Sequence, residues 1–280
     1  MINSPQRLKD LIRNMAKRIN GQPHILMRNY MMERFLERLA HSTYSDKFIL
    51  KGGMLVASMI GLDIRATMDI DATIKGATLS IDSSRKIIEE ITGVHLEDGI
   101  QFIIKDIAEI MDEADYPGIR VTLECQLDDI RVPLKVDIST GDVITPMEIN
   151  YGFNLMLEDR KINVLAYNLE TVLAEKLETV IARDISNTRM RDFYDIYMLL
   201  TMYEAVLNEE DFSAALTATA RKRGSIELFT EGEDIFTDIE ESSYMQTLWK
   251  NYQKKFAYAS EIEWSSLMRA VRLLWSKYNH

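Results

Sequence analysis

The spacing of apolar residues changes from a period of two to a helical period near residue 165. Before that point two runs alternate cleanly, namely Ile119, Val121, Leu123 and Cys125, and then Val132, Leu134, Val136 and Ile138. Alternation predicts strands that bury one face, and the spacing of the runs suits an antiparallel meander. After Asn168 the spacing is helical to the end of the chain, so the sequence predicts an α+β fold.

The same change of period predicts the domain organisation. Residues 1–165 are expected to form an N-terminal domain with a mixed or antiparallel sheet flanked by helices, and residues 1–45 are its helical lead-in. Residues 166–280 are expected to form a helical C-terminal domain. Within that domain, segment 224–241 is acidic and irregular, and the pattern predicts a loop there.

Composition narrows the class of protein. The 280 residues are 46% hydrophobic and 28% charged, which is typical of a globular chain. The one cysteine, Cys125, excludes an intramolecular disulfide and a paired-cysteine zinc site. The sequence has no apolar run of about 18 residues and no apolar segment typical of a signal peptide. We therefore expect a cytoplasmic protein without a membrane span.

The net charge of −11 argues against general coating of nucleic acid, because that binding depends on neutralising phosphates with Lys and Arg. Near the N-terminus, Lys9, Arg13, Lys17 and Arg18 lie at helical spacing. They form either a local basic patch or, as is more common for such runs, a solvated helix face.

Two carboxylates lie two residues apart on a predicted strand, Thr67 to Ile74. A period of two puts Asp69 and Asp71 on one face and Ile70 on the other. Adjacent carboxylates repel each other unless a cation lies between them, and a hard divalent cation such as Mg²⁺ is the usual one. Asp137 repeats the pattern on a later strand. If the two strands are neighbours, the three carboxylates are the ligand set for two Mg²⁺ ions about 4 Å apart.

A glycine pair precedes the two aspartates. Gly52 and Gly53 end a short apolar run and begin a predicted short helix. Glycine lets the backbone approach a phosphate closely, with a helix N-terminus behind it. Taken alone, the aspartate pair is more often a solvated strand edge, and Asp137 an ordinary residue before the turn Thr140-Gly141-Asp142. The glycine pair and the third aspartate together favour a metal site.

Two predicted helices of the C-terminal domain carry charges on their apolar faces. On the helix that starts at Leu169, Lys176 falls inside the apolar arc, and on the next helix Asp192 does so, with Asp195 at its edge. Charged groups seldom point into a core without a partner or a ligand. Lys176 and Asp192 are therefore expected to meet between the helices or to line one cleft. A structural ion pair and a functional site both remain open.

Two segments resemble a known family. LKGGMLVASMIGLDIRATMDIDATI resembles the first motif of AbiEii/AbiGii-type toxins, which belong to the DNA polymerase β-like nucleotidyltransferase superfamily. The matching residues are Leu50, Lys51, Gly52, Gly53, Arg65, Thr67, Asp69 and Asp71. LAEKLETVIARDISNTRMRDFYDIYML resembles the later motifs, and its matching residues are Lys176, Arg191, Asp192, Tyr194 and Asp195. The resemblance covers about residues 20–205.

The resemblance implies a nucleotidyltransferase fold and a bacterial toxin of a type IV toxin–antitoxin or phage abortive-infection system. It implies a metal site of Asp69 and Asp71, to which Asp137 is added, with Mg²⁺ as the cofactor. The implied nucleotide-binding residues are Lys51, Gly52, Gly53, Arg65, Thr67 and Lys176, and the implied catalytic residues are Asp69, Asp71, Lys176 and Asp192. The substrate would be an NTP, with GTP or CTP as candidates. The acceptor would be RNA, with the 3′ end of tRNA favoured, and a cognate antitoxin would be the partner.

Alternative functions are weighed against this one. A degenerate relative would bind an NTP or a partner protein without transferase activity, but the intact aspartate pair argues against degeneration. A kinase is disfavoured because a complete set of kinase motifs is absent. The scattered histidines and Cys125 form no nucleophile motif, which disfavours a hydrolase.

Overall fold

The computed structural model describes residues 2–61, 67–111 and 117–278. The chain divides into two compact units, of which the first comprises Met1–Asp142 and Glu148–Tyr167, and the second Val143–Met147 and Asn168–His280. The first unit carries a mixed sheet with helices, and the second is helical. The predicted α+β fold class is confirmed.

The first unit contains four described helices and seven strands. The helices are α1 (Pro5–Ile19), α2 (Pro23–Ala40), α3 (Gly52–Ile60) and α4 (Ile81–Thr92). The strands are β1 (Phe48–Lys51), β2 (Ile70–Ile74), β3 (Gln101–Met111), β4 (Pro117–Leu127), β5 (Ile130–Thr140), β6 (Ile149–Asn154) and β7 (Lys161–Ala166). The sheet has the order β3-β4-β5-β2-β1-β7-β6.

The predicted meander is present as β3, β4 and β5, which pair antiparallel in sequence. β2 then pairs parallel with β5 and antiparallel with β1, while β1 pairs parallel with β7. This pairing makes β2 and β5 direct neighbours, as the metal-site hypothesis requires. β6 completes the sheet and was missed in the sequence, because only Phe153 of its side chains is buried and no alternation marks it.

The register of the meander depends on a tight turn between β4 and β5. Leu127 pairs with Ile130 across the two turn residues, Asp128 and Asp129. Asp128 has a φ of 49°, a left-handed conformation that Asp tolerates better than most residues. Along β5 the alternate residues from Ile130 to Ile138 are buried, and α2 packs against this strand. The polar residues of β5 consequently face the other side of the sheet.

Strand β2 is shorter than predicted. It begins at Ile70, three residues after the expected start at Thr67, and Asp69 lies in a bend just before it. On one side, β1 ends at Lys51 opposite Asp71 because helix α3 begins at Gly52, and on the other side the pairing with β5 also begins at Ile70. Residues before Ile70 thus have no β1 partner with which to extend the ladder.

The second unit contains helices α5 (Leu169–Arg183), α6 (Met190–Tyr203), α7 (Glu209–Arg223), α8 (Gly232–Glu241), α9 (Ser243–Lys255) and α10 (Trp264–Ser276). The predicted loop over 224–241 is wrong, because it contains α8. This helix buries Ile235, Phe236 and Ile239 on one face, and its acidic residues are on the outside. In the part of the chain that the structure describes, no helix is long and apolar enough to cross a membrane.

Candidate active site

A row of four charged residues crosses the sheet of the first unit. The registers pair Lys51 of β1 with Asp71 of β2, Asp71 with Asp137 of β5, and Asp137 with Arg120 of β4. Directly paired residues on neighbouring strands point to the same face of a sheet. The row therefore brings two carboxylates side by side between two cations. We call Lys51, Asp71, Asp137 and Arg120 the charge row.

The glycine pair fixes the position of Asp71 in the charge row. The backbone N–H of Gly53 donates a hydrogen bond of 3.0 Å to Oδ2 of Asp71. Gly52 has a φ of +61°, and a Cβ added to it would lie 2.2 Å from the same oxygen. No other residue fits there, because any side chain would overlap the carboxylate. The sequence predicted that the glycine pair binds a phosphate. In the structure, the pair holds the carboxylate of Asp71.

Asp137 is held by Arg120. Nε of Arg120 donates to Oδ1 at 2.8 Å, and Nη2 donates to Oδ2 at 2.6 Å. Such a bidentate pair is the strongest ionic arrangement that an arginine makes with a carboxylate. The hydrogen bond to Asp137 is the main cause that raises the pKa of Arg120, and the nearby Asp69 and Asp71 add to it.

The carboxyl groups of Asp69 and Asp71 both have a pKa above the ordinary value. Burial is the largest cause in each case. The neighbouring Asp137 raises the pKa of both further, whereas the Gly53 N–H and Lys51 oppose the rise at Asp71. Two partly buried carboxylates that disfavour each other's charge form a site that a cation would stabilise. Thr67 is buried beside them, and its hydroxyl donates to the carbonyl of Asp69 at 3.4 Å.

Lys51 is held at the other end of the charge row by Asp142. Its Nζ lies 2.6 Å from Oδ2 of Asp142, and the same oxygen accepts hydrogen bonds from Tyr167 at 2.7 Å and Ser139 at 2.9 Å. Burial would raise the pKa of Asp142, but Lys51 and the two hydroxyls outweigh it and lower that pKa to about 2. Asp142 therefore belongs to this site. The sequence pattern had indicated only that it lies in a turn.

The fit to a divalent metal can be judged from the donors present. Asp69, Asp71 and Asp137 are hard oxygen donors of the kind that Mg²⁺ prefers, and register brings two of them side by side. Within residues 2–61, 67–111 and 117–278, however, no three acidic, histidine or cysteine side chains converge closely enough to hold a metal. The donor types and the backbone register fit Mg²⁺, while the side chain of Asp137 is turned to Arg120.

The second unit contains the other predicted site residues. Nζ of Lys176 on α5 donates to Oδ1 of Asp192 at 2.9 Å and to Oδ2 of Asp195 at 2.7 Å, both on α6. Nε of Arg189 lies 2.8 Å from Oδ2 of Asp192. The side chains of Asp192 and Asp195 are 3% and 0% exposed, and that of Lys176 is 12% exposed. We call Lys176, Arg189, Asp192 and Asp195 the helix cluster.

The predicted residues form two groups, one within each unit. Lys51, Gly52, Gly53, Asp71 and Asp137 come together on the sheet, with Asp69 and Thr67 at the start of β2. Lys176 and Asp192 meet between α5 and α6, as the helical spacing predicted. Arg65, a predicted nucleotide-binding residue, lies outside the described residues.

Arg120 and Tyr167 were not singled out in the sequence. Arg120 belongs to the polar face of a strand whose other face carries Ile119, Val121 and Leu123, so its side of the sheet was predictable. Its partner was not, because the partner depends on the register of β4 on β5. Tyr167 gives no signal, since a single tyrosine after a strand has no characteristic pattern.

Cys125 is excluded as a nucleophile by its surroundings. It is fully buried on β4, and burial raises the pKa of its thiol to about 12. The reactive thiolate is therefore scarce at neutral pH. This agrees with the absence of a hydrolase motif around it.

Comparisons with known proteins point to one family. Residues 34–270 match the family model described as "Nucleotidyl transferase AbiEii toxin, Type IV TA system". Among solved structures, the chain is similar to MenT4, a nucleotidyltransferase toxin of Mycobacterium tuberculosis H37Rv, with a TM-score of 0.56 and 12% identity over 95% of this chain and 98% of that one. It is also similar to JHP933 of Helicobacter pylori, with a TM-score of 0.50 and 18% identity over 91% and 93% of the two chains. None of the curated proteins compared with it matches.

Proposed function

Because the chain belongs to the AbiEii family of nucleotidyl transferase toxins, we propose that it is a Mg²⁺-dependent enzyme that transfers a nucleoside monophosphate from an NTP to RNA. The 3′ end of tRNA is the favoured acceptor, and GTP and CTP are the candidate donors. The chain would act as the toxin of a type IV pair and would be countered by a cognate antitoxin. The observation that carries the proposal is the register that brings Asp71 next to Asp137 on one sheet face.

The reaction requires few groups from the protein. The oxygen of the acceptor hydroxyl forms a bond to the α-phosphorus. The bond between that phosphorus and the oxygen that bridges the α- and β-phosphates breaks, and pyrophosphate leaves with the electron pair. The hydroxyl proton is lost to a base. Mg²⁺, when bound, would neutralise the triphosphate and lower the pKa of the attacking hydroxyl. The protein contributes mainly position and electrostatics, as in other phosphate transfers.

Residues of the charge row would orient these parts. Asp71 and Asp137, with Asp69, would hold the metal, and the Gly53 N–H keeps Asp71 in place. Gly52 allows this close approach of the backbone to the carboxylate. Lys51 is fixed by Asp142 at one end of the charge row, and its ammonium is proposed to donate to an anionic substrate there. These contacts support a nucleotide site in which Asp71 and Lys51 are held in place before substrate arrives.

Lys176 and Asp192 are proposed as further substrate contacts. A lysine has three N–H donors, and the described bonds of Lys176 to Asp192 and Asp195 use two. A third donor on a side chain that is 12% exposed supports contact with a phosphate oxygen. The carboxylate of Asp192 is oriented by Lys176 and Arg189, which suits it to position an acceptor hydroxyl.

The proposal is tested by following the label of each NTP. Purified protein is incubated with total RNA, Mg²⁺ and, in turn, each of the four NTPs labelled at the α-phosphate. We expect the α-label to enter RNA with one preferred nucleotide and to require Mg²⁺. A parallel reaction with the γ-labelled nucleotide should transfer nothing, because the γ-phosphate leaves in pyrophosphate. Transfer of the γ-label would instead identify a phosphotransferase.

Two variants make the assay specific for the site. Asp69→Ala should abolish transfer, whereas Asp106→Asn, an exposed carboxylate on the edge strand β3, should leave it unchanged. Label on protein instead of RNA would overturn the RNA acceptor. No transfer to any acceptor, without Mg²⁺-dependent NTP binding in calorimetry, would overturn the catalytic proposal in favour of a protein-binding module.

A further inference from the structure

We propose that Arg120 is a positioning residue that occupies the cation position beside Asp137 and must be displaced when a divalent ion binds to the carboxylates of the charge row. This inference rests on the proposed function. It concerns a residue that neither the family motifs nor the sequence pattern singled out. Arg120 would thereby set the affinity of the site for metal before nucleotide arrives.

The geometry of the pair makes Arg120 a competitor. The guanidinium donates to both oxygens of Asp137 at 2.8 and 2.6 Å, which engages the whole carboxylate. A divalent ion shared by Asp71 and Asp137 would lie next to this fixed positive charge. Because like charges repel more strongly in a partly buried setting than in water, the ion and the guanidinium cannot both stay on Asp137 without a loss of affinity.

Arg120 is able to leave its position. Its side chain is 39% exposed, whereas that of Asp137 is 18% exposed. On the other side of β4 its cross-strand partner is Ala108 of β3, which is small and uncharged. Among the described residues no other carboxylate forms an ion pair with Arg120. Solvent can therefore receive the guanidinium at little cost once a metal neutralises Asp137.

The displaced guanidinium would have a use. Arginine presents parallel N–H donors that match two phosphate oxygens, so a triphosphate on the same face could bind the group that the metal releases. Metal binding and nucleotide binding would then strengthen each other, and this coupling would be reciprocal. In the absence of nucleotide the pair with Asp137 would keep metal affinity low.

The test measures metal binding and does not depend on activity. Mn²⁺, an octahedral oxygen-preferring substitute for Mg²⁺, is titrated into the full-length protein without nucleotide, and free Mn²⁺ is followed by electron paramagnetic resonance. We expect Arg120→Gln to bind Mn²⁺ about tenfold more tightly than wild type, the effect of losing one well-formed charged pair. Lys105→Gln is the matched control, since Lys105 also pairs across strands, with Glu124 at 3.6 Å, away from the charge row.

A second titration adds a non-hydrolysable NTP analogue. The analogue should tighten Mn²⁺ binding strongly in wild type and much less in Arg120→Gln, because the competitor is already gone. A residue that merely ties β4 to β5 would change the unfolding midpoint and leave both Mn²⁺ titrations as in wild type. If Arg120→Gln does not fold, as judged by circular dichroism, Arg120→Lys carries the test, because lysine keeps the charge and loses the bidentate bond.

The outcomes separate this inference from the proposed function. Unchanged or weaker Mn²⁺ binding by Arg120→Gln, with Mn²⁺ and nucleotide bound by wild type, would overturn the role of Arg120 and leave the proposed function standing. Failure of wild type to bind Mn²⁺ both with and without the analogue would overturn the metal site and this inference with it. Tighter binding by Arg120→Gln and no change in Lys105→Gln would support the displacement.

Discussion

The charge row on the sheet and the helix cluster of the second unit both contain partly buried carboxylates and cations. The two groups differ in how these charges are paired. In the charge row two carboxylates, Asp71 and Asp137, are direct neighbours, and the cations lie at its two ends. In the helix cluster one ammonium, on Lys176, lies between two carboxylates, and Arg189 binds one of them again. Each carboxylate of the cluster therefore contacts a cation directly.

This difference indicates that the two groups respond differently to the loss of one member. Burial raises the pKa of Asp69 and of Asp71, and the neighbouring carboxylate of Asp137 raises both further because adjacent carboxylates destabilise each other's ionised form. Such a pair supports the proposal that a cation binds there. The helix cluster already pairs its charges in a setting that is almost closed to water, so removal of one member should damage the fold first.

The largest effect is expected for Lys176→Met. It leaves Asp192 and Asp195 buried with fewer partners, and breaking a buried pair in this way costs about 4 kcal/mol of unfolding free energy. Lys277→Met is the matched control. Lys277 also binds two carboxylates and is also 12% exposed, but its partners Glu204 and Glu209 are nearly half exposed.

The control should lose less than about 1 kcal/mol in urea unfolding, because exposed ion pairs contribute little. Equal small losses in Lys176→Met and Lys277→Met would break the contrast. They would mean that the ion pairs of Lys176 contribute little to the stability of the fold.

Gly52→Ala should have the next largest effect. Both Gly52 and Gly76 have a positive φ, near +61° and +64°, so alanine at either position carries the same backbone strain of about 1 kcal/mol. Only at Gly52 does the new Cβ also overlap Asp71, which adds roughly 2 kcal/mol of overpacking. At Gly76 nothing lies within 4 Å. Similar unfolding midpoints for the two variants would show that Gly52 does not hold Asp71.

Asp142→Asn tests the end of the charge row that is already neutralised. The pKa of Asp142 falls from an ordinary 3.8 to about 2, so its ionised form stabilises the fold above pH 4 by about 2 kcal/mol. That contribution disappears as the pH falls towards 2 and the carboxyl is protonated. The variant should be less stable than wild type at pH 7, and the gap should close between pH 4 and 2. A gap that is independent of pH would contradict the ion pair with Lys51.

Asp71→Asn should give the smallest change in stability and the opposite sign. The folded pKa of Asp71 lies above its ordinary value, so stability falls as the pH rises from that ordinary value through the folded one. Asparagine keeps an acceptor for the Gly53 N–H and removes the repulsion from Asp137. We expect a gain of roughly 0.5 kcal/mol at pH 7, measured by urea unfolding. A loss of several kcal/mol of unfolding free energy would show that Asp71, like the residues of the helix cluster, stabilises the fold.

Much of the fold follows from periodicity. The meander was predictable because β4 and β5 alternate strictly, and the helices of the second unit because their apolar stripes are long. Strand β6 was not, since it buries little, and α8 was hidden by its acidic residues. A local pattern identifies the residues that face the core, but it does not identify which strands pair with each other.

The sequence predicted which site residues lie on each strand. It did not predict which of these residues contact each other across strands. Asp69, Asp71 and Asp137 could be placed on faces, but the contact of Asp137 with Arg120 depends on the two-residue turn at Asp128 and Asp129. Counting back from that turn assigns the pair once the turn is known. The Asp142 contacts bring together residues up to 91 positions apart, and no local pattern encodes such a meeting.

A catalytic role for the charge row is tested by the rate of α-label transfer to RNA by Asp71→Asn beside wild type, with urea unfolding run on the same preparations. We expect transfer to fall by at least about a thousandfold while the variant is as stable as wild type or slightly more so. Transfer within about threefold of wild type by the equally stable variant would contradict a catalytic role for the charge row.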